Sequence, residues 1–208
     1  MKWRVAVDGE ETTAVFEPAT AGNSKALFVA AHGAGSHMDH RSMVQLAQVL
    51  RARGFDVVRF NFLYRENGAR VTDRMPRLQA CLAAVAKRAR TELNPGKLII
   101  GGRSMGGRAA SMLAAEGFEC DGILLLAYPL HPAKQPERLR DAHLPRIKVP
   151  VLCISGTRDP LCDRMLMQRA LDTVQTQWDM HWLEGKDHSF PVTDEVGEVA
   201  GRWLGSLK

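Results

Sequence analysis

The chain has 208 residues, a length that suits one domain, residues 1–208, with a core large enough to be stable without disulfides or metals. Apolar residues make up 45% of the chain and charged residues 25%, so the composition is that of a globular protein and argues against a disordered one. The formal net charge is +5, but the basic residues are spread along the whole sequence, which argues against a nucleic-acid-binding surface.

Apolar segments and helical patterns alternate along the chain. Two short strands, at residues 3–7 and 12–16, are predicted around Asp8-Gly9, a dipeptide that favours a hairpin. The later predicted strands lie at residues 26–31, 56–60, 97–102, 122–127, 151–155 and 178–183. Helices are predicted at about 40–53, at 74–93, from the end of the 97–102 strand to about 116, at 161–174 and at 194–207. This alternation predicts an α/β fold, with a mostly parallel central sheet and helices on both faces.

Several sequence features bear on location and cofactors. No apolar run has the length of a membrane span or of a signal peptide, and the 4 cysteines show no metal-type spacing. Met38 stands where a dinucleotide-binding loop needs its third glycine. We therefore expect a cytoplasmic protein with reduced cysteines, no cofactor, no metal, and no membrane or nucleic-acid partner.

The strand at 97–102 is joined to the next helix by Gly102-Arg103-Ser104-Met105-Gly106, a G-x-S-x-G pattern. Between a strand and a helix, this pattern predicts a nucleophile elbow, a tight turn that projects the serine hydroxyl above the sheet. Ligands of parallel sheets bind beyond the carboxyl ends of the strands, which is where Ser104 falls. Ser104 is therefore the predicted nucleophile.

A nucleophilic serine needs a base, and the base needs a group that orients it. Of the 7 histidines, only His188 both follows the last predicted strand and comes last in the chain order serine, acid, histidine. Asp159 follows the strand at 151–155 and is the predicted acid. Asp163, which lies in a predicted helix, is the alternative.

Acyl transfer through a serine also needs hydrogen-bond donors for the oxyanion of the intermediate. The backbone N–H of Met105, directly after the nucleophile, is one predicted donor. The other is the N–H of Ala34, in the loop His32-Gly33-Ala34-Gly35 that follows the strand at 26–31.

With these motifs the chain resembles the α/β-hydrolase superfamily over essentially its whole length. It is most similar to the small, capless dienelactone-hydrolase-like branch, and within that branch to the testis-expressed and NSL-complex-subunit type of hydrolase-like protein. The segments that carry this closer resemblance are residues 32–35, 60–62, 101–108, 128–132 and 156–159. Ser104 stands where the dienelactone hydrolases proper have cysteine. Residues 128–148, where cap domains enter this fold, are too few for a helical lid, so the resemblance implies an open site.

Four basic residues, Arg65, Arg103, His37 and His131, fall near the mouth of the predicted site and are candidate substrate-binding residues. Such a rim favours acidic acyl or leaving groups, unless the arginines pair with local carboxylates such as Glu66. The predicted function is hydrolysis of a small carboxylic ester or thioester through an acyl-enzyme. A non-catalytic binding protein on the same scaffold is the alternative from another class, and a transferase or peptidase also stays open.

Overall fold

A computed structural model describes residues 1–20, 22 and 24–207. The strands are β1 (Lys2–Val7), β2 (Glu10–Glu17), β3 (Ala26–Ala31), β4 (Phe55–Phe60), β5 (Leu98–Arg103), β6 (Gly122–Leu126), β7 (Val151–Gly156) and β8 (Trp178–Leu183). They form an 8-stranded sheet in the order β1-β2-β4-β3-β5-β6-β7-β8. Strand β2 is antiparallel to β1 and β4, and every pair from β4 to β8 is parallel.

The burial of the strands follows their hydrophobic pattern. Every residue of strands β3, β6 and β7 is buried, as expected where helices cover both faces, and these strands are apolar apart from Ser155 in β7. Strand β1 lies at an edge of the sheet and alternates exposed and buried residues. Strand β5 lies between β3 and β6, so its carboxyl end opens in the middle of the sheet.

The helices pack on both faces of this sheet. Their bounds are α1 (Arg41–Arg51), α2 (Leu63–Glu66), α3 (Met75–Leu93), α4 (Met105–Ala115), α5 (Arg164–Leu171) and α6 (Asp194–Ser206). Side chains of α1 and α6 form one apolar cluster with the sheet, and side chains of α3, α4 and α5 form another. The predicted fold, a mostly parallel sheet with helices on both faces, is confirmed.

The segment after β7 differs most from the prediction. Helix α5 is shorter than the predicted helix at 161–174, since it ends at Leu171 and begins only at Arg164. It begins late because Asp159 closes a turn in which its Oδ1 accepts the N–H of Leu161 at 2.8 Å. Asp163, predicted to lie within the helix, is its N-cap and accepts the N–H of Leu166 at 2.9 Å. The sequence prediction lacks α2, because one helical turn is too short to show a helical period.

The carboxyl ends of the parallel strands carry no lid in the described residues. The connection from β6 to β7 contains one short 3-10 helix, Leu144–Arg146, and no cap domain. None of the helices that the structure describes is both long enough and apolar enough to cross a membrane. Likewise, no group of three or more His, Cys, Asp or Glu side chains in the described ranges is arranged to hold a metal ion.

Candidate active site

Three loops, at the carboxyl ends of β5, β7 and β8, bring Ser104, Asp159 and His188 together. Oγ of Ser104 lies 2.8 Å from Nε2 of His188, and Nδ1 of His188 lies 2.8 Å from Oδ2 of Asp159. Because a carboxylate can only accept, Nδ1 carries the ring proton and Nε2 is free to accept a proton from the serine. The carboxylate is fully buried and the imidazole side chain is 23% exposed, so the hydrogen-bonded series runs from the interior to the surface.

The turn that holds Ser104 is strained. Its backbone has φ of 52°, a left-handed value that non-glycine residues rarely adopt, and it connects β5 directly to α4. The neighbouring glycines make this turn possible: a Cβ on Gly102 would lie 2.0 Å from the carbonyl oxygen of Ala31, and one on Gly106 would lie 2.4 Å from the same atom. The close approach of α4 to β3 thus fixes the serine at the end of the strand.

The loops that carry Asp159 and His188 are bonded to each other. The N–H of Arg158 donates to the carbonyl oxygen of Lys186 at 2.8 Å, and the N–H of Gly185 donates to Oγ1 of Thr157 at 2.8 Å. Each bond lies within a few residues of the Asp159–His188 contact. The carboxylate and the imidazole are therefore held in register by backbone bonds as well as by their own.

Arg103 fixes the His188 loop from the opposite side. Its Nη2 donates to the carbonyl oxygens of His188 at 2.8 Å and Phe190 at 2.9 Å, and its guanidinium lies 4.6 Å from the centre of the Phe190 ring. Burial lowers the pKa of Arg103, an effect opposed by the negative charges of Asp159 and Asp187. Arg103, which the sequence predicts as a substrate-binding residue, therefore uses Nη2 to position the loop that carries His188.

Two backbone amides lie beside Ser104. The loop after β3 passes so close that a Cβ on Gly33 would lie 3.6 Å from Cβ of Ser104, which places the next residue, Ala34, at the serine. Met105 begins α4, where the first amides have no acceptor within the helix. Neither the N–H of Ala34 nor that of Met105 donates a hydrogen bond to another described residue. Both are free to bind an oxygen placed next to Oγ.

His32 braces the loop that carries Ala34. Its Nδ1 donates to the carbonyl oxygen of Gly33 at 2.9 Å, and its Nε2 accepts the N–H of Phe62 at 3.1 Å. Burial lowers its pKa to about 4, so the ring is neutral near pH 7. It ties the end of β3 to the segment after β4 and does not reach the serine.

Ser104 lies where two clefts meet. Both are lined by Ala34, Ser104 and Leu161. The first, which we call the His188 cleft, has a volume of about 490 Å³, and its further lining includes Ser36, His40, Arg103, His188 and Ser189. The second, which we call the Arg108 cleft, has a volume of about 400 Å³, and its further lining includes Asp73, Met75, Leu78, Met105, Arg108 and Arg140. A substrate bonded to Ser104 therefore has room on both sides.

Only one of the four candidate substrate-binding residues, Arg103, lines either cleft in the described part of the chain. Arg65 and His37 lie outside both. His131 is 4% exposed, with Nδ1 3.0 Å from the carbonyl oxygen of Pro132, and its Nε2 accepts the N–H of Asp163 at 3.1 Å. Nε2 thus holds the turn before α5 and Nδ1 the chain next to His131 itself. The expectation that His131 lies at the mouth of the site is not met, because the side chain is buried and lines neither cleft.

The alternative partner predicted for the arginines, Glu66, is engaged elsewhere. It bonds Arg4 closely, and it also accepts from Oγ1 of Thr13 at 2.6 Å and from Nδ2 of Asn61 at 3.1 Å. Within the residues that the structure describes, neither Arg65 nor Arg103 forms an ion pair. The alternative in which these arginines pair with Glu66 therefore has no support in the described residues.

Two arginines of the Arg108 cleft are absent from the sequence prediction. Arg108 follows Ser104 by one turn of α4, so the i, i+4 spacing places both residues on the same side of the helix. This spacing is the sequence signal from which Arg108 could have been predicted as a site residue. Arg140 lies in the irregular connection between β6 and β7, where no periodicity exists to place a side chain.

Comparison with known proteins agrees with this architecture. A family model described as an alpha/beta hydrolase domain matches residues 24–205. Among similar solved structures, an α/β serine hydrolase without a lid from Xanthomonas campestris is 22% identical, with 100% of this chain and 96% of that chain covered and a TM-score of 0.79. A dienelactone hydrolase from Anabaena variabilis is 21% identical, with 100% and 98% covered and a TM-score of 0.80. Est1E from Butyrivibrio proteoclasticus, solved with ferulic acid bound, is 15% identical, with 99% and 98% covered and a TM-score of 0.80. At these identities the structures show a shared fold, and the family match spans most of the chain, which therefore belongs to the alpha/beta hydrolase domain family.

Proposed function

We propose that this protein is a serine hydrolase that cleaves a carboxylic ester or thioester of a small molecule through an acyl-enzyme. The observation that carries the proposal is the hydrogen-bonded series from Asp159 through His188 to Ser104, with both contacts at 2.8 Å and the serine at the junction of two clefts. A hydroxyl with a base on one side and bound substrate on the other is placed for nucleophilic attack.

In the first half-reaction, Oγ of Ser104 attacks the carbonyl carbon while Nε2 of His188 takes the hydroxyl proton. Asp159 holds the ring proton on Nδ1 and stabilises the imidazolium that forms. The amides of Ala34 and Met105 donate to the oxyanion, an interaction whose loss typically costs about 3 kcal/mol of transition-state stabilisation. The imidazolium then gives its proton to the departing alkoxide or thiolate, which leaves the acyl group on the serine.

In the second half-reaction, water replaces the leaving group. His188 accepts a proton from the water as it attacks the acyl carbonyl, and returns that proton to Oγ of Ser104 when the ester bond to the enzyme breaks. The products are the free carboxylic acid and the original enzyme. Apart from the attacking water, the side chains and amides already named supply every group that these steps use.

The open clefts support a small-molecule substrate. No cap covers the strand ends in the described residues, so access is limited only by the side chains around Ser104. Ferulic acid in the similar Est1E structure is one carboxylic acid that this fold accommodates.

The finer sequence expectations stay predictions. They are the closer resemblance to the testis-expressed and NSL-complex-subunit type, the single-domain organisation, the cytoplasmic location and the absence of a nucleic-acid partner.

A fluorophosphonate probe tests the proposal directly, because it reacts only with a serine that an adjacent base activates. We expect labelling of the folded protein at Ser104, its loss in Ser104→Ala and a large reduction in His188→Ala. Ser189→Ala is the matched control, since Ser189 lines the same cleft and should label like the original protein. Failure of the folded protein to label would favour the non-catalytic alternative.

A further inference from the structure

We propose, on the basis of the function proposed above, that the Arg108 cleft binds a carboxylate carried by the acyl part of the substrate. The substrate class would then be a half-ester or half-thioester of a dicarboxylic acid. Three features of the cleft support this assignment: its charge, its position relative to His188, and its apolar lining.

The charge of the cleft comes from Arg108 and Arg140, which both line it. Neither forms an ion pair with any described residue, and Nε of Arg108 is buried without a hydrogen-bond partner there. Burial and the positive charge of Arg108 both lower the pKa of Arg140, which indicates that the two guanidiniums are near one another. Two like charges without a counter-ion favour the binding of an anion between them.

A carboxylate on the same cleft, Asp73, does not neutralise the pair. Its Oδ2 accepts the N–H of Tyr64 at 3.0 Å, and its Oδ1 lies 3.5 Å from Nε of Arg77. Asp73 thus connects α2 to the first turn of α3. The two arginines keep an excess of one positive charge over this carboxylate, and guanidiniums bind carboxylates through two parallel hydrogen bonds.

The position of His188 assigns the cleft to the acyl group. The imidazolium must protonate the leaving group, so the leaving group has to lie on the side of Ser104 that His188 occupies. His188 lines only the first cleft, and the Arg108 cleft lies beyond the shared residues Ala34, Ser104 and Leu161. The acyl chain therefore extends into the Arg108 cleft.

The lining also indicates the chemical character of the acyl chain. Met75, Leu78 and Met105 line the cleft together with the arginines. Apolar side chains next to the serine and charges in the same cleft fit a chain of methylene groups that ends in a carboxylate.

The test compares two para-nitrophenyl esters of adipic acid, one with a free carboxylate and one with that carboxylate methylated, through the release of nitrophenolate. We expect kcat/KM to be at least about 10-fold higher for the anionic ester, as for one or two charge-assisted hydrogen bonds. In Arg108→Gln and in Arg140→Gln the ratio of the two kcat/KM values should fall towards 1. Arg140→Lys, which keeps the charge, should retain most of the preference.

Arg169→Gln is the matched control, because Arg169 is exposed, lines neither cleft and is not among the charges that act on Arg140. It removes the same charge and should leave the ratio unchanged. Equal kcat/KM values for the two esters in the original protein would overturn the carboxylate site and leave the hydrolase proposal standing.

A binding measurement separates the two proposals if neither ester is cleaved. Calorimetric titration of Ser104→Ala with monomethyl adipate and with dimethyl adipate needs no turnover. We expect the monoanion to bind at least about 10-fold more tightly. Equal or absent binding of the two compounds would overturn the carboxylate site, whereas a preference for the monoanion without any hydrolysis would overturn only the hydrolase proposal.

Discussion

Two serine–histidine pairs in this molecule have the same contact distance and different surroundings. In the cleft pair, Oγ of Ser104 lies 2.8 Å from Nε2 of His188; in the buried pair, Oγ of Ser111 lies 2.8 Å from Nε2 of His143. Nδ1 of His188 has a carboxylate partner. Nδ1 of His143 has none in the described ranges, and the further neighbour of its Nε2 is the hydroxyl of Tyr128, 3.2 Å away.

The surroundings decide what each pair can do. Ser111 lies within α4, where its hydroxyl donates to the carbonyl oxygen of Arg108 at 2.9 Å, and it is fully buried. Ser104 lies on a strained turn at the junction of two clefts. A short contact between a hydroxyl and an imidazole is therefore insufficient for a nucleophile. Access, an orienting carboxylate and a free oxyanion site have to accompany it.

The largest effect expected from this comparison is on activity. Ser104→Ala should lower kcat for a neutral nitrophenyl ester by about ten-thousand-fold or more, because the attacking oxygen is lost. Ser111→Ala should keep kcat within about 3-fold and lower the free energy of unfolding by about 1–2 kcal/mol, the cost of a lost buried hydrogen bond. Similar losses of kcat in both variants would mean that the cleft pair has no special role.

Removing the carboxylate makes the cleft pair resemble the buried one. In Asp159→Asn, Oδ1 can still accept the N–H of Leu161, but the amide nitrogen facing Nδ1 of His188 favours the wrong ring tautomer. We expect kcat to fall by about ten-thousand-fold with little change in thermal stability.

Asp163→Asn is the control for this change. Asparagine is as good an N-cap as aspartate, so α5 and the activity should both persist. If Asp163→Asn loses as much activity as Asp159→Asn, the assignment of the acid is wrong.

The grouping of Ser104, Asp159 and His188 could be predicted because it follows from local signals. The G-x-S-x-G pattern marks the turn after β5, and the rule that sites form at the carboxyl ends of parallel strands selects the loops after β7 and β8. The same rule favours Asp159 over Asp163, since the former follows the strand directly and the latter caps α5.

Other features depend on contacts between distant segments and have no local signal. The Arg103 guanidinium donates to backbone oxygens of His188 and Phe190, which lie on another loop. The sequence therefore predicts that Arg103 lies near the site but not that it positions the His188 loop. The burial of His131 and the approach of Arg140 to Arg108 depend on the path of the irregular connection after β6. Neither hydrophobic period nor motif spacing determines that path.

The buried pair should also respond to acid. Burial, with the positive charges of Arg108 and Arg146, lowers the pKa of His143 from 6.5 to about 4. Between these values the unfolded chain binds a proton that the folded protein does not, so the free energy of unfolding falls as the pH falls from about 6.5 to about 4. One such histidine contributes about 3 kcal/mol to this loss. The lowered pKa of His32 adds a loss of the same sign.

Urea unfolding at several pH values measures this effect, with His143→Gln as the test variant. Its free energy of unfolding should fall less steeply than that of the original protein over this interval, by up to about 1.4 kcal/mol per pH unit, the slope for one proton. The slope is compared, since the variant also loses packing and is less stable at every pH. Parallel slopes would show that His143 is already protonated in the folded protein or is exposed.

The smallest expected effect concerns how the cleft pair is positioned. The buried pair is held by the packing around it, whereas Arg103 holds the loop that carries His188 of the cleft pair. Arg103→Gln removes the two bonds to the His188 loop and the contact with Phe190, while the triad residues are kept. We expect kcat for a neutral ester to fall about 10-fold with little change in KM, since a displaced imidazole impairs proton transfer more than binding. The Nδ1 proton of His188, observed by NMR, should exchange faster with water in this variant. Arg158→Gln is the control, because Arg158 is exposed and its contact with Lys186 uses only the backbone. A change confined to KM would instead assign Arg103 to substrate binding, as the sequence alone predicts.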